Sequence, residues 1–174
     1  ALRLHGVDPM ELMAEVGIDV AKIANPDWRV PHDNFNLLMQ RCVEESDDEA
    51  FGLLAGEQMQ PQALHGLGFA WLASDTVYDG LKRLARFGKL VSTAADISLL
   101  EEADLVVLDL GRIPLSENFH FSSRDYAIGM VTRMCSLALG DFLAPVKVQL
   151  ERPEPQSAGR WESMLAARVE FESS

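Results

Sequence analysis

The sequence predicts an α+β fold: a helical first half, then a β-β-α-β-α-β half with a small four-stranded sheet packed on helices. Three observations predict it. Apolar residues recur at helical spacing through about residue 93. Near residue 96 the period shortens, and two apolar runs flank the polar Glu102-Ala103-Asp104. Two later segments, 145–150 and 168–172, alternate apolar and polar residues as half-buried strands do.

The elements follow in chain order. Asp8-Pro9 opens the first helix, because Asp caps a helix and Pro suits its first position. Met10, Met13 and Ala14 share one face, Leu12 and Val16 another, and Gly17 ends the segment. A short stretch from Asp19 to Ala24 stops at Asn25-Pro26. Pro31 to Glu45 reads as a longer helix, with Phe35, Leu38, Met39 and Cys42 on one stripe. Asp48 to Met59 is another, ended by Pro61, and two more occupy residues 65–92. Ile97 to Glu101 and Leu105 to Leu110 form a hairpin, and Gly111, Pro114 and Ser116 mark a loop. Ser122 to Asp141 returns to helix, with Ser122 and Asp125 spaced as a capping box. The strand at Pro145 to Leu150 is broken by Pro153 and Pro155. A short helix from Trp161 to Ala166 precedes the last strand, Arg168 to Glu172.

At 174 residues the chain is read as one domain, helical over about 1–93 and sheet-containing over about 94–174. Apolar residues make up 48% and charged residues 24%, as in ordinary globular proteins. No apolar run is long enough for a membrane span, and the N-terminus lacks a signal-peptide core, so a cytoplasmic location is expected. Cys42 and Cys135 lie within helical patterns and read as buried thiols. Fifteen Lys and Arg face twenty-seven Asp and Glu, a net charge of −12. Duplex binding neutralises phosphates with basic side chains, so this surface would repel DNA.

The stretch His65-Gly66-Leu67-Gly68-Phe69-Ala70-Trp71 invites a phosphate-loop reading. Trp71 stands where the third glycine is needed and no strand precedes it, so the glycines instead imply close approach of a helix or a ligand. His5, His32, His65 and His120 are scattered, with no H-x-x-x-H or C-x-x-C spacing, so neither metal nor cofactor is expected. The serine-hydrolase elbow G-x-S-x-G is also missing. Lys82, Arg86 and Lys89 share a helical face beside Arg83. That face is either solvated, opposite the stripe Leu81, Leu84, Gly88 and Val91, or a contact for an acidic partner surface or an anionic ligand. Tyr126, Met130, Met134 and Leu137 form a stripe that is either core or an adaptable pocket wall. Arg124, in the first turn, gains nothing from the helix dipole and is either solvated or kept for a ligand carboxylate.

The segment from Leu67 to Ser92 resembles the middle signature of the N-terminal effector domain of AraC-type transcription regulators, in the helical, non-cupin variant of the ornithine-utilisation type. Ser74-Asp75-Thr76-Val77 stands at the family's helix cap, with Asp75 where proline is usual, and Thr76 and Asp79 keep capping-box spacing. Arg86-Phe87 matches its Arg-aromatic pair. Gly6-Val7-Asp8-Pro9 and Val16-Gly17-Ile18-Asp19 resemble its two Gly-apolar-Asp turns, and Arg29-Val30-Pro31 its next helix start. The hairpin, long helix and strand follow in the family's order, so the resemblance covers nearly all of the chain.

The resemblance implies a ligand-sensing domain that pairs as a homodimer and controls an attached DNA-binding region. Such proteins continue into a basic helix-turn-helix region. This chain stops at Ser174, and the expectation is a sensor half without direct nucleic-acid contact. Within it, a small-molecule pocket is expected between the 65–92 hairpin, the 122–141 helix and the sheet, lined by His65, Phe69, Trp71, Phe87, Arg124, Tyr126, Met130 and Met134. Lys82, Arg86 and Lys89 are the candidate dimer contact. Two other classes stay open: a small α+β enzyme with His65 or His120 as general base, and a pure dimerisation module without a pocket.

Overall fold

The computed structural model describes residues 1–25, 28–93, 95–111 and 119–171. Pro114 and Ser116 of the expected loop, Pro26, and Glu172 at the end of the last strand lie outside them. The first helix, α1, spans Pro9–Glu15, and the Asp8 carboxylate accepts the Met10 N–H at 2.9 Å. Leu12 and Val16 turn inward and Met10 outward, so the second of the two candidate faces is the buried one. Asp19 caps a single 3-10 turn over Val20–Lys22. Helix α2, His32–Ser46, buries Leu38, Met39 and Cys42, while Phe35 meets Tyr126 edge-on at 5.5 Å.

Helix α3 covers Phe51–Glu57, three residues later than its expected start. The Asp48 carboxylate accepts the Ala50 N–H at 2.9 Å and the Arg160 guanidinium at 2.6 Å, which holds residues 48–50 as a turn. Helices α4, His65–Leu72, and α5, Val77–Phe87, form the hairpin read from the sequence. Thr76 caps α5 by accepting the Asp79 N–H at 3.1 Å.

Helix α6, Ser122–Leu139, is the central element, and its most extensive helical contact is with α3. That contact is a glycine seam. A side chain on Gly52 would strike the Ser122 carbonyl, one on Gly56 the Tyr126 carbonyl, and one on Gly129 the Leu53 carbonyl. The capping box expected at its start does not form. The Ser122 hydroxyl pairs with His120 Nδ1 at 2.6 Å, and Asp125 is fully buried with the Arg152 guanidinium at 2.6 Å. A carboxylate at this depth needs a counter-charge more than a second cap.

The α+β class and the β-β-α-β-α-β order hold, but the strands do not join into the expected four-stranded sheet. Among the described residues, strands β1, Ser98–Glu102, and β2, Leu105–Asp109, pair only with each other, antiparallel, with Leu99 opposite Leu108. Strands β3, Lys147–Leu150, and β4, Arg168–Phe171, form a separate parallel pair joined through helix α7, Gly159–Leu165. The pairs belong to different cores. Leu108 packs with Trp71, Leu84 and Met134, whereas Leu150 and Val169 pack with Leu53, Trp161 and Ile128. Each pair has its own hydrophobic partner, with α6 contributing to both cores. A third core joins α1, α2 and Phe51. Cys42 and Cys135 are buried and free, and burial pushes both thiols up to about 12. Among the described residues no helix is long and apolar enough to cross a membrane.

Candidate functional site

The structure distributes the eight expected pocket residues over several surroundings. Trp71 and Met134 are fully buried in the core shared by α4, α5 and α6, with Met130 packed against it. Tyr126 faces the other way, onto Phe35 and the α1–α2 core. Phe69 is 58% exposed and Phe87 39%, and His65 is exposed as well. His65 also holds a backbone φ of 51°, which a side chain rarely adopts. Arg124 lies over the Phe119 ring and reaches Glu151 at 3.3 Å. Of the three basic residues, Lys82 pairs with Asp79 at 2.6 Å and sits over the Tyr78 ring. Arg86 stacks on Phe87, and Lys89 is exposed.

A cavity of about 360 Å³ opens elsewhere, between α3, the second half of α6 and α7, and none of those eight residues lines it. Its walls come from four segments. The end of α3 supplies Glu57, and α6 supplies Thr132, Arg133 and Ser136. Gly140, at φ 74°, ends α6 in a left-handed turn, and the chain folds back so that the Leu143 N–H donates to Ser136 Oγ at 3.0 Å. That return places Phe142 and Leu143 on the rim, and α7 closes the far side with Met164 and Leu165.

The polar groups in this cleft are unequal. The Thr132 hydroxyl is already engaged with the Ile128 and Gly129 carbonyls, both at 3.0 Å. Arg133 is not so provided for: its Nε is buried without a hydrogen-bond partner. Burial raises the Glu57 carboxyl above the usual carboxylate range, with Arg133 pulling it back down. Among the described residues, neither side chain has a hydrogen bond or a close ion pair. A cation and an anion thus share one half-open cleft of mixed polar and apolar lining. Sequence reasoning did not single out Glu57, Thr132, Arg133 or Ser136. The one local signal among them is Arg133, a charge at i+7 from Tyr126 and i+3 from Met130 on an otherwise apolar stripe.

A smaller cavity of about 280 Å³ lies at the end of α5, lined by Arg86, Gly88, Lys89, Asp96 and Ile97 among others. The two histidines weighed as bases are differently placed. His120 is bound to Ser122, and burial together with the nearby Arg152 charge holds its pKa down. His65 stands in the open. Among the described residues no cluster of three His, Cys, Asp or Glu side chains could hold a metal ion.

Comparison with known proteins bears on the whole chain. A family model described as the arabinose-binding domain of AraC transcription regulators, N-terminal, matches residues 6–174. The ornithine utilization regulator of Pseudomonas aeruginosa is 23% identical over 175 aligned residues, covering 94% of this chain and 51% of that protein. An HTH-type transcriptional regulator of Mycobacterium tuberculosis is 28% identical over 138 residues, 78% of this chain and 40% of its own length, and one from Mycobacterium bovis matches equally. The chain therefore spans about half, or less, of the curated relatives it matches. The family and these relatives are transcription regulators, not enzymes. With nearly every residue inside the family match, the chain belongs to the family of N-terminal arabinose-binding domains of AraC transcription regulators.

Proposed function

We propose that this domain senses a small-molecule effector in the α3–α6–α7 cleft and passes its occupancy to a DNA-binding region outside this chain. The observation that carries the reading is the cleft itself: four apolar side chains beside Glu57 and Arg133, neither hydrogen-bonded to a described residue, with Arg133 Nε buried and unpartnered. The cleft spans separate cores, because Leu165 belongs to the β3–β4 core while α6 also serves the α4–α5 core. A ligand bridging α6 and α7 therefore acts on their relative position, which is how a small binding event biases a packed interface. The net charge of −12 leaves DNA contact to the region beyond the chain.

A metabolite screen by thermal shift tests the reading. An effector at one hundred times its Kd adds about 2.7 kcal/mol of stability, a rise of several degrees for a domain of this size. Thr132→Trp, which fills the cleft, should abolish that rise for the active compound. An equal rise in the variant would move the effector out of the cleft, for example to the α4–α6 region around Trp71. No rise from any metabolite would remove the sensing reading.

The domain also pairs as a homodimer in this proposal, as two half-sites on DNA require of a regulator. Lys82, Arg86 and Lys89 form the candidate contact, a basic face on an acidic protein. Sedimentation velocity at micromolar concentration should give a dimer, weakened by charge reversal at these three positions. A monomer throughout would remove the pairing, and an unaffected dimer would remove only this face.

A further inference from the structure

The charges in the cleft restrict what it can hold. Glu57 and Arg133 nearly cancel, so the site is neutral overall, and it sits in a protein of net charge −12. Nucleotides and sugar phosphates carry two or more negative charges and would be repelled by the whole surface. A neutral sugar would offer hydroxyls to both side chains but a formal counter-charge to neither, and a simple carboxylic acid would satisfy Arg133 but crowd a second carboxylate against Glu57. Guanidinium forks bind carboxylates with paired, charge-assisted hydrogen bonds, and a carboxylate accepts those of an ammonium equally well. The remaining walls, Phe142, Leu143, Met164 and Leu165, are apolar and ask for an apolar body between the two ends. About 360 Å³ falls at the lower end of the roughly 300–1,000 Å³ typical of small-molecule pockets, room for one small molecule.

We infer that the cleft takes a free amino acid with an apolar side chain, its carboxylate on Arg133, its ammonium on Glu57, and its side chain against Phe142, Leu143 and Met164. The inference rests on the sensing reading above and names its ligand class. Thr132 donates to backbone carbonyls and Ser136 accepts the Leu143 N–H, and the two charges set the orientation.

Calorimetric titration of the folded domain with each standard L-amino acid tests it. The tightest binder is then compared with its two truncated counterparts, the acid without the amino group and the amine without the carboxyl group. One apolar amino acid should bind, and each counterpart should bind roughly tenfold or more weakly, the size of one lost charge-assisted hydrogen bond. Glu57→Gln should erase the discrimination against the acid, and Arg133→Leu that against the amine. Melting curves check that each variant folds, with Arg133→Gln as the replacement if leucine unfolds the domain. Failure of every amino acid to bind overturns the inference, as does binding that ignores both truncations. If another metabolite class binds and loses affinity in Arg133→Gln, the sensing cleft stands and the ligand class falls. If no compound of any class binds, both fall.

Discussion

The α4–α5 hairpin and the α3–α6–α7 cleft differ in how they are written into the sequence. The hairpin has the most distinctive local composition in the chain: closely spaced glycines, aromatics, a capping signal and a cluster of positive charge. In the structure part of that composition serves packing, while Gly66, Phe69 and Lys89 stay on the open side. Gly68 lets α4 close on the Pro61 carbonyl, and Gly80 makes room for the Trp71 ring, which is fully buried. The cleft has no distinctive composition at all. It is bounded by residues 57, 132, 133, 136, 142, 143, 164 and 165, ordinary positions drawn from distant parts of the chain. A packed face repeats along one element, so it leaves a period in the sequence. A cavity forms where several packed elements stop touching, and no single segment records that.

A large expected effect, on a par with the next, concerns the seam that fixes one wall of the cleft. Gly129→Ala drives a methyl group into the Leu53 carbonyl, and backbone on both sides leaves it nowhere to turn. Overpacking against backbone should cost about 3 kcal/mol or more, seen as a fall in the urea midpoint. An unchanged midpoint would mean that α3 and α6 are not in contact as described, and the cleft wall would go with them.

Next is the aromatic pair of α4, where the comparison is sharpest. Trp71→Ala empties the centre of the α4–α5–α6 core and should cost about 3–5 kcal/mol. Phe69→Ala, two residues away and 58% exposed, should stay within about 0.5 kcal/mol. Equal losses would contradict the division between a packing face and an open face. Amino acid affinity in the cleft should be unchanged in Phe69→Ala, since the cleft lies on the other side of α6.

The buried Asp125–Arg152 pair makes a prediction in pH. Burial raises Asp125 from 3.8 to about 6 despite Arg152 beside it. A carboxyl with a higher pKa folded than unfolded binds its proton more tightly in the native state. Its contribution to stability is therefore fullest below about pH 4, declines as pH rises to about 6, and is level above that. The change is on the order of 3 kcal/mol. Asp125→Asn removes this slope, so wild type minus variant should fall between pH 4.5 and 7 in urea titrations. A flat difference would mean that Arg152 already compensates the burial. Equilibrium titration is enough, because the sign alone decides.

Much of the fold was legible because its signals are local. The Asp8 and Thr76 caps, the stripe through Leu38, Met39 and Cys42, and the alternation of β3 all need only a few neighbouring residues. The β1–β2 hairpin was legible in the same way, but the separation of the two strand pairs was not, because separate cores rather than anything in the strands keep them apart. The Ser122–Asp125 box failed for a related reason: Arg152, 27 residues on, outcompetes a local backbone N–H for the carboxylate. Arg133 and Glu57 were invisible as a pair because α3 and α6 come together only through Gly52, Gly56 and Gly129.

The smallest effect tests whether glycine in α4 is kept for packing or for a ligand. Gly66 and Gly68 sit two residues apart in one helix. A side chain at Gly68 meets the Pro61 carbonyl, whereas one at Gly66 meets nothing within 4 Å. Gly66 is not in the left-handed region either, so alanine fits its backbone without strain. Alanine also restricts the unfolded chain and favours the helix. Gly66→Ala should therefore raise stability slightly, by about 0.5 kcal/mol, while Gly68→Ala lowers it by several times as much. If Gly66 is instead needed for close approach of a ligand at the exposed side of α4, Gly66→Ala will still fold well but will lose effector response in the thermal-shift screen. That result would return the binding site to His65, Phe69 and their neighbours. A response unchanged in Gly66→Ala and lost in Thr132→Trp would leave it in the cleft.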